Sequence, residues 1–459
     1  MFNKYHIITY GCQMNYSDTE RLESYLNSLG LIHSPDFKKA DLIIYNTCSI
    51  RQKAEDRLFG EMEKVITLRK KNKNLIVGLT GCMSRISSSR NSDVKDKLFN
   101  KSSELDVVFK IDDLLKLKDL LLEINPHLKF DNNVSDNLEN FFQVIPTYNK
   151  TPKNFAFLTI STGCDKFCSY CIVPYSRGRE KSRPVQDILD EAKGLVEKGF
   201  KEIWLLGQSV NSYGVSVLDK LSGIFKNIPG KKEPFSFLLE ELDKLKSKGL
   251  QRIRFSSPHP NFMTDQLIET MSKLQTLQPY LHLPIQSGDD AVLKRMNRPY
   301  TTAQYKEIIK KLKTAIPDIV VTTDIIVGFC GETEEEFINT YNFFREMAFD
   351  LAYIAQYSER KGTASAKKMK DDIPEEIKKS RWNKLNDLLR EISREKLQNY
   401  VGKTYKVFVE KYEKGNLFGR SEHYKEVLIP SKKDLTGEII PVKITASTAW
   451  ALRGELIKE

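Results

Sequence analysis

Residues 161–174 read Ser161-Thr-Gly-Cys164-Asp-Lys-Phe-Cys168-Ser-Tyr-Cys171-Ile-Val-Pro174, with three cysteines at C-x3-C-x2-C directly after the apolar run Phe155 to Ile160. That run reads as a strand, so the cysteines occupy the loop leaving its C-terminal end. Three thiolates can ligate three irons of a [4Fe–4S] cluster and leave the fourth iron open to a small ligand. A structural zinc site takes four ligands. No fourth Cys or His lies close by in sequence, which favours a cluster over zinc without excluding zinc.

Downstream, apolar runs alternate with helical stretches. The strands expected are Phe155–Ile160, Glu202–Leu206, Arg252–Phe255, Tyr280–Pro284, Val320–Val327 and Leu351–Gln356. Six βα units imply a partial, open (β/α)6 barrel, whose chemistry would sit at the C-terminal face of its strands. Those ends carry Gly207-Gln208-Ser209-Val210-Asn211, Ser256-Ser257-Pro258-His259, Gln286-Ser287-Gly288-Asp289 and Gly328-Phe329-Cys330-Gly331-Glu332. Residues 215–234 read as a surface insertion without a motif. Pro374 is expected at the first position of a long helix running to about Tyr400, with Leu385, Leu388, Leu389, Ile392 and Leu397 as its packing stripe. After it the period changes. Tyr405–Glu410, Leu417–Glu422, Glu426–Pro430, Glu438–Ala446 and Ala451–Lys458 read as five short strands of a small OB-like β-barrel, an architecture often used for nucleic acid. From Lys403 onward it carries eleven Lys and Arg against eight Asp and Glu.

Upstream, the first 110 residues also alternate strand and helix, as a parallel sheet with crossover helices does. Strands are expected over Lys4–Tyr10, Asp41–Asn46, Leu75–Thr80 and Leu105–Phe109. Asp18 is expected to cap a helix over Thr19–Leu29, and a second helix to run from about Arg51 to Lys71. Cys12, Cys48 and Cys82 each fall at the end of a successive strand, the place where open α/β sheets bind ligands. Any one of them reads as a buried small hydrophobe; the same placement three times reads as a second three-cysteine iron–sulfur site. Polar turn formers over 131–153 read as a linker. The expected organisation is therefore α/β: residues 1–130 a three-cysteine domain, 131–153 a linker, 154–398 the barrel with its trailing helix, and 399–459 the small β-barrel.

The 459 residues suggest about three domains. No apolar run approaches the roughly 20 residues of a membrane span, and the N-terminus lacks a signal-peptide layout, so a cytoplasmic, non-membrane protein is expected. Seven cysteines are an odd number, and they do not pair as a secreted framework would. Six fall into the two groups of three, and Cys330 stands apart. A net charge of +11 points to a polyanionic partner, most simply nucleic acid.

Taken together, the chain resembles the methylthiotransferases of the radical S-adenosylmethionine (SAM) superfamily. The resemblance covers essentially the whole chain. It rests on Tyr10-Gly-Cys-Gln-Met-Asn15 and Asn46-Thr-Cys48, and on Gly163-Cys-Asp-Lys-Phe-Cys-Ser-Tyr-Cys171 followed by Ile-Val-Pro-Tyr-Ser-Arg-Gly-Arg-Glu180 and Ser182-Arg-Pro184. His282-Leu-Pro-Ile-Gln-Ser-Gly-Asp289, Lys294-Arg-Met-Asn297 and Asp324-Ile-Ile-Val-Gly-Phe-Cys-Gly-Glu-Thr333 complete it. Thr47-Cys-Ser-Ile-Arg51 with Lys53-Ala-Glu55 resembles the branch that makes 2-methylthio-N6-isopentenyladenosine in tRNA (the MiaB type). The rival branches act on threonylcarbamoyladenosine or on a ribosomal-protein aspartate. Met83-Ser-Arg-Ile-Ser-Ser-Ser-Arg after Cys82 departs from the pattern of the family.

The resemblance implies two [4Fe–4S] clusters, SAM as both radical source and methyl donor, and a C-terminal TRAM domain. It implies metal ligation by Cys12, Cys48 and Cys82 at an auxiliary cluster and by Cys164, Cys168 and Cys171 at the cluster that cleaves SAM. The reaction would place a methylthio group on C2 of the isopentenylated adenosine beside the anticodon. Partners would be the anticodon stem-loop of tRNA and an electron donor such as flavodoxin or ferredoxin, with the chain a monomer. SAM-contact candidates are Tyr170, Gln208, Ser209, Asn211, Gln286 and Asp324. Tyr170 reads equally as a core aromatic. Arg177, Arg179 and Arg183 read either as phosphate contacts or as a solvated face, and His259 and His282 as structural. No triad or carboxylate pair for acid–base catalysis is evident. The rival from another class is a non-enzymatic RNA-binding protein with clusters or zinc as staples.

Overall fold

The computed structural model describes residues 2–48, 52–131, 138, 140–148, 155–230 and 232–457. The chain divides into two compact units. The first comprises 1–149, 162–166 and 171–183, and the second 150–161, 167–170 and 184–459.

The first unit is built on a six-stranded sheet. Its strands are β1 (Lys4–Tyr10), β2 (Ile32–His33), β3 (Leu42–Thr47), β4 (Ile76–Gly81), β5 (Ser88–Ser89) and β6 (Val107–Val108), in the order β2-β1-β3-β4-β6-β5. All pairings are parallel except β5 with β6. Every residue of β3 and β4 is buried, as central parallel strands covered on both faces must be. One apolar layer gathers Leu22, Leu26, Ile44, Phe109 and Leu121, and the other Ile43, Tyr45, Val77, Leu79 and Val108. The two-residue strands β2 and β5 carry too little pattern to be read from sequence.

The first helix departs from expectation. It spans Gln13–Ser28, with Cys12 rather than Asp18 at its N-cap. Asp18 lies inside the helix, where the Arg177 guanidinium pairs with its carboxylate at 2.6 Å. The second helix is Gln52–Lys71. Ser49, Ile50 and Arg51, on which the choice of branch partly rests, lie outside the described residues, as does most of the expected linker. The residues directly after Cys82, 83–96, form no helix.

In the second unit the barrel strands are β7 (Phe155–Thr159), β8 (Glu202–Leu206), β9 (Arg252–Phe255), β10 (Tyr280–His282), β11 (Val320–Val327) and β12 (Leu351–Gln356). They form two three-stranded parallel sheets, β9-β8-β7 and β10-β11-β12. A parallel bridge from Ile253 to Leu277, just ahead of β10, links them. Pro374 stands at the N-cap of the long helix Glu375–Gln398, one position earlier than expected, and all five stripe residues are buried. The chain closes in a five-stranded barrel of β13 (Thr404–Glu413), β14 (Asn416–Ser421), β15 (Glu426–Pro430), β16 (Ile439–Ser447) and β17 (Leu452–Leu456), ordered β13-β14-β15-β17-β16.

This small barrel is tied into the larger one by buried arginines. Arg252 donates to the carbonyl oxygens of Lys406 (2.8 Å) and Arg420 (3.2 Å), and Arg254 to those of Ser421 (3.1 Å) and Glu422 (3.3 Å). The Arg254 guanidinium lies 4.9 Å from the Tyr424 ring centre and pairs with Glu202 at 3.3 Å. Farther along, Asp350 accepts from Lys425 at 3.1 Å and Lys396 at 2.8 Å.

Candidate functional site

In the first unit the C-terminal ends of β1, β3 and β4 bring Cys12, Cys48 and Cys82 side by side. The amide of Cys48 donates to the Tyr10 carbonyl at 2.9 Å, and that of Cys82 to the Thr47 carbonyl at 2.8 Å. The parallel ladder therefore continues into the cysteines themselves, with neighbouring backbones about 4.8 Å apart. Gly81 makes the turn ahead of Cys82. Its φ is +95°, and a Cβ there would lie 2.3 Å from the Thr47 carbonyl oxygen, so only glycine fits.

The asparagines of the two sequence motifs lock these loops together. Asn15 accepts from the Cys12 amide at 3.2 Å and donates to Asn46 Oδ1 at 3.0 Å. Asn46 returns a bond to the Asn15 carbonyl at 2.8 Å and another to Thr19 Oγ1 at 3.0 Å. Both asparagines are fully buried, and a buried amide left half-paired is costly. Their pairing explains the early helix start. Nothing in the sequence pairs Asn15 with Asn46 until the strands are placed beside each other.

Arg177 reaches this site, against both sequence readings of it. Its Nε donates to Cys82 Sγ at 3.3 Å and its Nη2 to Asp18 Oδ2 at 2.6 Å. The arginine side chain is 1 % exposed and the aspartate 0 %. Arg183 is also buried, with its guanidinium 5.6 Å from the Phe142 ring centre. Only Arg179 is exposed, and it pairs with Asp165 at 2.6 Å. Alternating small and basic residues look like a solvated phosphate-binding run, and only tertiary packing reveals which of them point inward.

The electrostatics separate the thiols. Cys82 is held well below the usual thiol range by a hydrogen bond from Cys48, which together with Arg177 outweighs burial. Burial pushes Cys12 up, helped by the charge on Cys82. Burial opposes the charge on Arg177, but Asp18 and Cys82 more than compensate, holding it well above its ordinary value. Three thiols at neighbouring strand ends, with the Arg177 guanidinium 3.3 Å from Cys82 Sγ to favour the thiolate, are the donor set that ligation by sulfur takes. Cys12, Cys48 and Cys82 thus fit an iron–sulfur cluster.

The Cys164–Cys171 loop is pinned from both of its flanks. In the first unit, Gly163 has φ +74°, and a Cβ there would lie 2.1 Å from the Arg179 carbonyl oxygen. The Cys164 amide donates to the Gly178 carbonyl at 3.1 Å. In the second unit, Ser169 donates through its amide to Met296 (3.0 Å) and through its hydroxyl to the Arg295 carbonyl (2.9 Å), while Asn297 Nδ2 donates to the Phe167 carbonyl at 2.9 Å. Arg298 donates to the Tyr170 hydroxyl at 2.6 Å. Burial opposes the charge of Arg298, but Tyr170, Tyr300 and Cys168 outweigh it. The sequence run Lys294-Arg-Met-Asn297 is thus a clamp on the cysteine loop, and Arg298, one residue beyond it, belongs to none of the sequence motifs. Three cysteines within eight residues fit a cluster with one open iron.

Tyr170 is packed edge-on to Phe329, with ring centres 6.4 Å apart, in a small apolar cluster that also holds Cys330 and Tyr357. Gln208 is half-buried after β8. Ser209 is buried, and its hydroxyl, like that of Ser161 at the end of β7, has no hydrogen-bond partner among the described residues. Two buried, unsatisfied hydroxyls at adjacent strand ends fit a polar ligand such as SAM. Asn211 is occupied: it accepts from the His259 amide (2.7 Å) and donates to the His259 carbonyl (3.0 Å), so it braces the neighbouring loop. Gln286 is buried with φ +78° and bridges β11 through Asp324 and Ile326. Asp324 pairs with His282 Nε2 at 3.3 Å, and His282 Nδ1 lies 2.9 Å from Thr322 Oγ1.

Comparison with known proteins agrees with this architecture. Residues 158–344 match the radical SAM superfamily, 4–109 the uncharacterized protein family UPF0004 and 398–457 the TRAM domain. The fold and its cysteine-bearing loop thus define an enzyme of the radical SAM class. The tRNA-2-methylthio-N(6)-dimethylallyladenosine synthase of Thermoanaerobacter sp. (strain X514) is 39% identical over 458 residues, 99% of this chain and 93% of that protein. That of Geobacillus kaustophilus (strain HTA426) is 40% identical, covering 99% of this chain and 82% of that one. The chain belongs to the family of tRNA-2-methylthio-N(6)-dimethylallyladenosine synthases. In fold it is similar to the radical SAM methyltransferase TsrM from Kitasatospora setae, with a TM-score of 0.54 at 11% identity over 78% of this chain and 75% of that one.

Proposed function

We propose that this chain is the enzyme that methylthiolates C2 of N6-isopentenyladenosine beside the anticodon of tRNA. The observation that carries the reading is the pair of cysteine triads, one at the C-terminal ends of three parallel strands and one in the loop after a single strand, in a chain whose full-length relatives are named for this reaction. The target is an unactivated aromatic C–H, with no acidic proton and no leaving group. Two [4Fe–4S] clusters with SAM supply, when bound, a radical that removes this hydrogen and a methylated sulfur that replaces it.

Cys164, Cys168 and Cys171 would hold the SAM-cleaving cluster, and Cys12, Cys48 and Cys82 the auxiliary one. Ser161 and Ser209 offer buried hydroxyls to SAM; Gln208 follows β8 and Gln286 follows β10, while Asp324 lies within β11, hydrogen-bonded through its carbonyl to the Gln286 amide. Asn211 positions the loop after β9 through His259. Arg298 holds Tyr170, two positions after Cys168, by its hydrogen bond to the hydroxyl. The β13–β17 barrel binds tRNA through exposed lysines such as Lys432 and Lys433 and the exposed ring of Trp450. No helix among the described residues is long and apolar enough to cross a membrane, and a cytoplasmic location suits a tRNA substrate. A small electron carrier such as flavodoxin or ferredoxin would reduce it, and the chain would act as a monomer.

The test is methylthio transfer by the reconstituted protein to tRNA with and without prior isopentenylation, read by nucleoside mass spectrometry. Product on the isopentenylated tRNA alone is expected. Equal activity on unprenylated or threonylcarbamoylated tRNA, or modification of a ribosomal protein instead, overturns the reading.

A further inference from the structure

We propose that Arg177 and Asp18 form a positioning pair for the auxiliary site, an oriented buried charge pair that sets the reduction potential of the cluster held by Cys12, Cys48 and Cys82. The proposal rests on the reading of those cysteines given above and adds two residues to it.

The geometry is specific. The guanidinium lies between sulfur and carboxylate, with Nε on Cys82 Sγ at 3.3 Å and Nη2 on Asp18 Oδ2 at 2.6 Å. Arg177 Nη1, Asp18 Oδ1 and Asp112 Oδ1 are buried without hydrogen-bond partners among the described residues. The other charges that act here are Asp112 and Arg21, with Lys110 and Lys181 acting on Asp112. Burying two ions carries a desolvation penalty that an apolar plug of the same shape would avoid. Arg177 also lies six positions after Cys171, so the segment leaving the radical loop supplies the charge at the other triad.

Its orientation gives the pair a consequence. The positive end faces the sulfur and the negative end faces away. A cluster bound by three thiolates gains one more negative charge on reduction, and a fixed cation at hydrogen-bond distance from one sulfur favours that reduced form. Asp18 partly offsets the cation. Removing the guanidinium therefore lowers the potential, and neutralising Asp18 raises it. A pair that merely filled space would not give opposite signs.

The experiment uses the full chain carrying Cys164→Ala, Cys168→Ala and Cys171→Ala, anaerobically reconstituted so that only the auxiliary cluster is present. Its midpoint potential is read by electron paramagnetic resonance during titration with dithionite, with iron counted for every variant. Arg177→Met is expected to shift the potential negative by at least about 59 mV, a tenfold change in the ratio of reduced to oxidised cluster for one electron. Arg177→Lys should restore most of that shift, and Asp18→Asn should move it positive. Shifts of the same sign in Arg177→Met and Asp18→Asn, or potentials equal to the parent with iron intact, overturn the proposal. Should Arg177→Met lose its iron, an unshifted potential in Asp18→Asn overturns it alone. Absence of iron from the parent triple variant instead refutes the assignment of Cys12, Cys48 and Cys82 as ligands.

Discussion

Replacing Asp350 by alanine should loosen the small β-barrel from the radical SAM barrel, and the size of the effect follows from what remains behind. Asp350 joins β12 to the C-terminal domain by accepting from Lys425 Nζ at 3.1 Å and Lys396 Nζ at 2.8 Å. The side chains of Asp350 and Lys425 are 11 % and 9 % exposed, whereas Lys396 is 28 % exposed and can turn to water. Asp350→Ala therefore leaves one buried ammonium without a counter-ion, and removing one partner of a buried pair costs about 3 kcal/mol. Lys425→Met should cost less, because Asp350 keeps Lys396. The double variant should cost less than the sum, with a coupling of about 1–2 kcal/mol.

The assay is anaerobic urea unfolding at pH 7 followed by tryptophan fluorescence, since Trp204, Trp382 and Trp450 all belong to the second unit. The pH dependence has a definite sign. Burial raises the Asp350 carboxyl, but Lys425 and Lys396 outweigh it and hold it below its ordinary value of 3.8. A carboxylate with a depressed folded pKa stabilises above its unfolded pKa, and that stability is lost as pH falls through the folded value. The gap between parent and Asp350→Ala should thus be constant from pH 7 to about 5 and close below about 4. A loss under about 1 kcal/mol at pH 7, or a gap that persists in acid, refutes the argument.

Three further outcomes are expected. Alanine at Cys164, Cys168 or Cys171 should abolish 5′-deoxyadenosine formation while roughly half the iron stays, and alanine at Cys12, Cys48 or Cys82 should spare SAM cleavage but abolish methylthio product; a Cys48→Ala protein that makes product at the parent rate sinks this division. Asn46→Ala should lower stability by about 1–3 kcal/mol through the unpaired Asn15 amide and lower auxiliary iron, measured by unfolding and iron assay, whereas full iron would show that the amide pair does not hold the loops. Lys432→Glu with Lys433→Glu should weaken tRNA binding without changing SAM cleavage, flattening the salt dependence by about one unit of slope per lost phosphate contact; unchanged binding would move the tRNA site elsewhere.

What the sequence made legible was whatever local pattern encodes. Strand period and spacing located five of the six barrel strands to within a residue or so, and the placement of Cys12, Cys48 and Cys82 at strand ends followed from the βα alternation alone. What escaped was long-range pairing between polar residues. Asp18 has the local look of a cap, and its role is visible only once Arg177, 159 positions away, is folded against it. Asn15 and Asn46 belong to recognisable motifs, but their reciprocal bond depends on β1 and β3 being neighbours. The same blindness covers Ser169 and Asn297, which fix the radical loop to the segment after β10.

The C-terminal barrel shows why this difference matters for function. Read from sequence, residues 399–459 are a small OB-like barrel of the kind used for nucleic acid, and truncation near Asn399 is the obvious test of that role. In the structure Arg252 and Arg254, on a barrel strand, spend their donors on four carbonyl oxygens of that module, and Tyr424 covers Arg254. Truncation would strip two buried guanidinium groups of four carbonyl partners and leave them only Glu202 as counter-ion, in the barrel that holds the chemistry. Loss of activity on truncation would then report a damaged barrel and say nothing about RNA. The exposed lysines are the sound handle, because they touch neither arginine, so a charge reversal there isolates tRNA affinity from the integrity of the site.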